Sequence, residues 1–318
     1  MNLPKIKDID VKNKRVLLRL DLDTVPDEND LRIKSSIETL DYLKDQSAEI
    51  VVLAHKGRPD GKVDESLSLK PFQTIFDRWG ARVEENLRFD PGEEKNDPEY
   101  SKKLASMGDV YINEAFASSH RNHASTVGIP KLLPHAFGFR FIQEIENLSR
   151  VFENPKRPLV FLISGVKEDK LKFVKKFENI ADKILLGGRL PDFLGDEALV
   201  SVRSRRPDEK VIVGNLIMDK EDITLNTIDV FEKIISSAGT VVVSGPLGKY
   251  EEDGHKQGTE KILNAVVKSS AFKVAGGGDT EKALDTFGLL DKFDWVSVGG
   301  GAMLEFLADK TLPGVDAA

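Results

Sequence analysis

The segment NEAFASSHRNHASTVG (113–128) places Arg121 between His120 and His123, two of only five histidines in the chain, directly after the apolar run 110–112. Arginine offers a planar fork of donors that matches carboxylate and phosphate, and it stays charged at any working pH. The same residue types recur in LRIKSS (31–36), AHKGRP (54–59) and NLRF (86–89), so Arg32, His55, Arg58, Arg88, His120, Arg121 and His123 all stand at or near the ends of apolar runs. Strand ends are where distant parts of a chain converge, and the set reads as a pocket for a small polyanion. A surface ion pair accounts for any one of these arginines but not for so many. The His-x-x-His spacing is also a metal-ligand spacing, an alternative that the cation on Arg121 opposes.

The second half of the chain carries a different chemistry. Its turns read SGVKEDK (164–170), LGGR (186–189), SGPLG (244–248), GGGD (276–279) and GGGA (299–302). Glycine lets a backbone come close to phosphate, and N–H groups at a helix start attract anions. GGGDTEKAL (276–284) and GGGAMLEFL (299–307) each follow an apolar run and open a helical segment, with Asp279 and Thr280 placed to cap it or to reach Mg²⁺. A glycine triplet alone is equally a tight turn, and Lys167 and Lys170 are as readily solvated as phosphate-bound. The P-loop pattern GxxxxGK[ST], the protein-kinase motif set and the dinucleotide fingerprint GxGxxG are all missing.

The elements that must position these residues are short Val/Ile/Leu-rich runs at 15–20, 49–54, 109–113, 158–164, 183–187, 211–214, 239–245, 272–276 and 295–299. Helical segments such as 35–46, 169–181, 225–237 and 258–269 lie between them. Strands alternating with helices predict parallel sheets covered on both faces, with ligands beyond the carboxyl ends of the strands. At 318 residues two domains are expected, and the helix 141–152 followed by ENPKRP (153–158) places their boundary. A net charge of −7 excludes a broad basic surface for nucleic acid, so no nucleic-acid partner is expected and any anion site is local. No cysteine is present, which removes a thiol nucleophile, a disulfide framework and thiolate metal sites and suits a reducing cytoplasm. Neither a signal peptide nor a membrane span is expected.

RLDLDTVP (19–26), LRIKSS, LAHKGRPDGKVDESLSLKP (53–71), ENLRFDPGEEKNDPEYSKKLA (85–105), GDVYINEAFASSHRNHASTVG (108–128), ENPKRP, SGPLGKYE (244–251), GGGDT and SVGGGAMLEFLADKTLPGVDA (297–317) together resemble the phosphoglycerate kinase family, in that family's order. The resemblance implies two doubly wound, Rossmann-like α/β domains joined by a hinge: 1–152 with the tail 308–318 for the triose phosphate, and 153–307 for the Mg²⁺-nucleotide. It implies transfer of a phosphoryl group between 1,3-bisphosphoglycerate and ADP, giving 3-phosphoglycerate and ATP, by a cytoplasmic monomer. By motif, Asp21 and Asp23 would meet the hydroxyl and carboxyl region of the triose. His55, Arg58, Arg88 and Arg121 would hold the non-transferred phosphate, with His120 and His123 reinforcing the field. Arg32 would balance charge on the transferring group. In the second domain Lys167 and Lys170 would bind phosphates, Asp279 the metal-linked nucleotide and Glu251 the ribose. Gly187 and Gly188 would form part of the adenine pocket, with Ser244, Gly245, Pro246, Gly276, Gly277, Gly278 and Thr280 around the nucleotide. The amides at 299–301, Gly300 among them, would line the path of transfer.

The chain departs from the family pattern in identifiable places. SGVKEDK is one residue shorter between its lysines than the usual turn, Ser244 stands for Asn, Arg189 for Gly, Glu114 for Asp, and Asp23 with Thr24 for Asn. Most departures fall in the nucleotide half. A catalytically weak relative acting as a binding or sensor protein, and an unrelated doubly wound kinase for another carboxylate, are the other readings.

Overall fold

The computed structural model describes residues 3–194 and 209–318. They fall into two compact units, one within residues 1–146 and 311–318 and one within residues 147–310.

The first unit is built on five parallel strands, β1 (Arg15–Arg19), β2 (Glu49–Leu53), β3 (Arg82–Val83), β4 (Val110–Asn113) and β5 (His135–Phe137), in the order β3-β2-β1-β4-β5. Consecutive apolar residues are tolerated because both faces are covered. Val16 and Leu18 pack on one side with Ile33, Leu40, Phe72 and Phe76, while Leu17 packs on the other with Leu87, Leu104 and Tyr111. Strand order reverses between β1 and β4, which opens a crevice beyond their carboxyl ends. The sequence pattern predicts one helix over 35–46. That helix is present as Ile37–Asp45, and a separate turn of helix, Leu31–Lys34, precedes it. The hydroxyls of Ser35 and Ser36 both donate to the carbonyl of Arg32, at 2.9 and 3.2 Å, and this local competition separates the two. β3 and β5 are too short to leave a periodic signal. The segment Pro313–Asp316 belongs to this unit, where Gly314 N–H donates to Ser119 O at 2.9 Å.

The second unit has six parallel strands, β6 (Leu159–Ile163), β7 (Lys183–Leu186), β8 (Val211–Val213), β9 (Thr240–Ser244), β10 (Phe272–Gly276) and β11 (Trp295–Ser297), in the order β11-β10-β9-β6-β7-β8. Its core includes Val160, Leu162, Val241, Val243, Phe231 and Ile262, fed by the helices Leu225–Ser236 and Gln257–Lys268. Here the order reverses between β6 and β9, so the turns SGVKEDK and SGPLG meet at the crevice.

Candidate active site

In the first unit, β1 delivers LDLDTVP to the crevice. Asp21 is buried; its Oδ1 accepts from Asp23 N–H at 3.2 Å, and its Oδ2 lies 3.5 Å from Arg32 Nε. Arg32 reaches back because Asp30 caps its helical turn, accepting from Arg32 N–H at 2.9 Å, and its Nη1 donates to Asp23 O. Asp23 Oδ1 accepts from Gly57 N–H at 2.8 Å, which ties this group to the turn after β2. Asp21, Asp23 and Arg32 are therefore brought together.

The basic residues converge around Arg19, the last residue of β1, which is fully buried. Arg19 Nη2 stands 3.0 Å from His55 Nδ1. Arginine has donors only, so Nδ1 accepts and the ring carries its proton on Nε2. Burial, together with the charges of Arg19, Arg88 and Arg121 and the neighbouring His123, holds His55 well below the ordinary histidine range. Burial and the same three arginines push His123 down to about 3. The expectation that His123 strengthens the positive field is thus corrected: at neutral pH His55 and His123 are uncharged, and the field comes from arginine.

Arg88, only 2% exposed, donates from Nη1 to Gly57 O at 2.6 Å. Its Nε is 3.1 Å from Glu94 but poorly aligned, and its buried Nη2 has no partner among the described residues. A buried guanidinium with an open donor fits an anion. Arg121 is half-buried beside it and His120 is half-buried next in sequence; Arg58 is exposed on the Gly57 turn.

Beneath this layer lies a buried support whose roles sequence reasoning missed. Arg19 Nε donates to Ser125 Oγ at 2.9 Å, and Ser125 donates from Oγ and N–H to Glu93 at 2.6 and 3.0 Å. Burial raises the Glu93 pKa even against the Arg19 charge. The available signal was an Arg inside an otherwise apolar parallel strand.

In the second unit Lys170 occupies the reversal point. Its Nζ donates to Ser164 O at 2.6 Å and Ser244 O at 3.1 Å, with Ser244 Oγ at 3.4 Å. Burial pulls its pKa down to about 8, with Asp279 and Asp169 opposing the shift. Gly245, at φ +102°, makes this packing feasible: a Cβ there would sit 2.1 Å from Ser164 O and 2.8 Å from Lys170 Nζ. Lys167 is exposed, so the two lysines part company.

Thr280 corrects a second expectation. Its hydroxyl donates to Gly276 O at 2.9 Å and accepts from Gly245 N–H at 2.8 Å, so it fastens the GGGD turn to the SGP turn and is not directed at a metal. Asp279, exposed in the first turn of the helix Gly278–Thr286, remains available. The two glycine triplets touch, since a Cβ on Gly300 would lie 2.7 Å from Gly277 Cα. A cavity of ≈ 490 Å³ lies alongside, and Gly188, Pro246, Glu251 and Asp279 line it. Gly187, Ser244, Gly245, Gly276, Gly277 and Gly278 do not line it; they belong to the turns that carry those residues. Among the described residues no cluster of three or more His, Asp or Glu could hold a metal alone. One carboxylate on the lining of a cavity fits Mg²⁺, which takes one or two protein carboxylates and fills its sphere with ligand phosphates and water.

The family model described as phosphoglycerate kinase matches residues 6–84, 80–212 and 196–310. The phosphoglycerate kinase of Finegoldia magna is 33% identical over an alignment of 392 positions that covers 99% of both chains. That of Dictyoglomus turgidum is 34% identical, covering 98% of this chain and 96% of the other. These alignments exceed 318 positions because this chain carries internal deletions relative to those proteins. The structure of phosphoglycerate kinase from Coxiella burnetii superposes with a TM-score of 0.83 at 29% identity, over 99% of this chain and 98% of that one. The Pyrococcus horikoshii enzyme gives 0.81 at 25% identity, with coverage of 99% and 98%.

Proposed function

This chain belongs to the phosphoglycerate kinase family, and from that premise we propose that it transfers a phosphoryl group reversibly between 1,3-bisphosphoglycerate and ADP, giving 3-phosphoglycerate and ATP. One observation carries a working enzyme over a mere binding relative: despite the shortened turn, Lys170 Nζ reaches the meeting point of the β6 and β9 ends beside Asp279.

Each unit binds one of the two substrates. Arg88 and Arg121, with the Nε2–H of neutral His55, hold the non-transferred phosphate, and Asp21 and Asp23 orient the hydroxyl and carboxyl end. Arg32 supplies a fixed positive charge toward the carboxylate oxygen that attacks phosphorus. No protein nucleophile is required, because positioning and stabilised oxygen charge supply most of the rate in phosphoryl transfer. In the forward direction the acyl carbon–oxygen–phosphorus link breaks at phosphorus, and the new bond forms to a β-phosphate oxygen of ADP. Lys170 and the amides at 299–301 meet the charge that spreads over the moving oxygens. Lys167, exposed at the same turn, assists by reaching the outer phosphates. Bound through Asp279 and the nucleotide phosphates, Mg²⁺ would neutralise phosphate charge. The reading places the enzyme in the cytoplasm as a monomer acting on free metabolites; among the described residues no helix is long and apolar enough to cross a membrane.

The test is ADP formation from MgATP and 3-phosphoglycerate with 1,3-bisphosphoglycerate removed, for the intact protein and for Arg32→Ala. Kinase-level turnover that drops on the order of 10²-fold in the variant, as for loss of one transition-state charge contact, supports the reading. Absence of turnover with 3-phosphoglycerate still bound would leave only a binding protein.

A further inference from the structure

The cavity of the second unit has one end whose chemistry the proposed reaction leaves unused. Arg189, standing where the family has glycine, lines it with Lys220 and Glu221. Arg189 Nη2 donates to Asp192 Oδ2 at 3.1 Å, and Nη1 stands 3.6 Å from Glu221 Oε1, too far for a hydrogen bond. Its buried Nε has no acceptor among the described residues. Lys220 Nζ holds Asp192 from the other oxygen at 2.5 Å, so the carboxylate that steadies the guanidinium is itself steadied.

Glu221 is equally well placed. Its N–H donates to Asp219 Oδ1 at 3.1 Å, and its carbonyl accepts from Lys249 N–H at 2.8 Å. That second bond fastens it to the segment carrying Glu251, the ribose candidate. His255 straps the same two segments, with Nε2 3.0 Å from Asp219 and Nδ1 3.1 Å from Glu252. A donor fork and a carboxylate therefore stand together in the cavity that Glu251 also lines, with Val166, Pro246 and Leu247 as the apolar lining a flat ring requires.

Purine bases differ in what they offer such a pair. Guanine presents O6 and N7 as adjacent acceptors, the edge that arginine binds best, and its N1–H and N2 amino group suit a carboxylate. Adenine turns an amino donor toward the guanidinium and a lone pair at N1 toward the carboxylate, and both juxtapositions repel. We propose that Arg189 and Glu221 select the base, so that this chain uses 6-oxopurine nucleotides, those of guanine and hypoxanthine, at least as well as adenine nucleotides. The inference rests on the nucleotide-binding reading of this cavity. The chemistry is unaltered: the bond from the γ-phosphorus to the β-bridging oxygen breaks, the bond to a carboxylate oxygen of 3-phosphoglycerate forms, and GDP leaves in place of ADP.

The experiment measures kcat/KM for ATP, GTP and ITP at saturating 3-phosphoglycerate, and Kd for ADP, GDP and IDP by calorimetry. It uses the full chain and the variants Arg189→Gly, Arg189→Lys and Glu221→Gln. A GTP-to-ATP ratio of one or more that falls at least tenfold in Arg189→Gly, and falls also in Arg189→Lys, supports the proposal. Glu221→Gln should penalise GTP more than ITP, because hypoxanthine lacks the 2-amino group. A GTP-to-ATP ratio below one in the intact protein, or a ratio unmoved by Arg189→Gly, overturns it. If no nucleotide supports transfer, the kinase reading fails, and the dissociation constants still decide the base: GDP binding weaker than ADP overturns the proposal, and GDP binding at least as tight supports it.

Discussion

Lys170 makes a quantitative demand on nucleotide binding. Burial at the β6/β9 junction leaves its pKa at about 8, down from 10.5. In the free protein at pH 8 about half of the molecules therefore carry an uncharged amine. A polyphosphate seated beside Nζ stabilises the ammonium and returns its pKa toward the ordinary lysine value. Binding must then take up about 0.5 proton per ADP at pH 8, about 0.9 at pH 9 and about 0.1 at pH 7. Over the same interval affinity falls by up to about tenfold, or about 1.4 kcal/mol, for each unit of pH above 8. Calorimetry of ADP binding in buffers of different ionisation enthalpy reads the proton count directly, and Lys170→Met supplies the baseline. Uptake below about 0.1 proton at pH 8.5, or the same uptake in the variant, would refute the placement of the ammonium against the phosphates. The sign for stability is opposite to that for function. A lysine held at about 8 in place of 10.5 disfavours the folded state by about 3 kcal/mol, a penalty fully present below pH 8 and relieved as pH rises through 10.5. Lys170→Met is thus expected to lose phosphoryl transfer while unfolding at no lower denaturant concentration at pH 7.

Three further outcomes are expected from the first unit. Glu114, fully buried, accepts from Arg140 N–H at 3.1 Å and Phe141 N–H at 2.9 Å, and burial pushes it up to about 7. A raised folded pKa gives stability that is present below pH 4.5 and lost as pH rises through 7, so the advantage of wild type over Glu114→Gln should shrink by about 3 kcal/mol between pH 4.5 and pH 8 in urea titrations. A constant gap would contradict the burial assigned to this carboxyl. Arg19→Met leaves His55 Nδ1, Ser125 and Glu93 without their buried cation; a stability loss of about 3–5 kcal/mol is expected, with weaker 3-phosphoglycerate binding in whatever fraction remains folded. Arg88→Met should raise the 3-phosphoglycerate Kd at least tenfold with little change in nucleotide Kd, and equal losses for both ligands would argue against separate half-sites.

The strands were legible because parallel sheets covered on both faces require unbroken apolar runs, and all nine runs read from the sequence became strands. That same rule hid Arg19. A cation within RVLLRL does not announce its partners, and its supporting role depends on His55, Ser125 and Glu93, which come together only through the β2-β1-β4 order. Periodicity carries no information about which strands become neighbours. The contact between the glycine triplets was hidden for the same reason: β10 pairs in parallel with β11, Gly276 beside Ser297, so the turns that follow must lie side by side. The charge states of the histidines were beyond the sequence as well. Residue type suggests added positive charge, whereas three arginines and burial leave His55 and His123 neutral.

The shortened lysine turn shows why motif length is a poor guide when the frame is rigid. SGVKEDK lacks a residue, yet Glu168–Lys170 form a single tight turn that runs straight into the helix Leu171–Phe177, and that helix packs Phe173 and Phe177 into the unit. Phe177 stacks on Phe161 of β6 with ring centroids 4.2 Å apart, which fixes the helix against the strand whose end it must serve. The position of Lys170 is thereby set from behind, by aromatic packing, and not by the length of the loop in front. Lys167 has no such anchor and stays in solvent. Deletion within the turn is therefore absorbed by the lysine that reaches outward, while the one at the strand junction keeps its bonds to Ser164 O and Ser244 O.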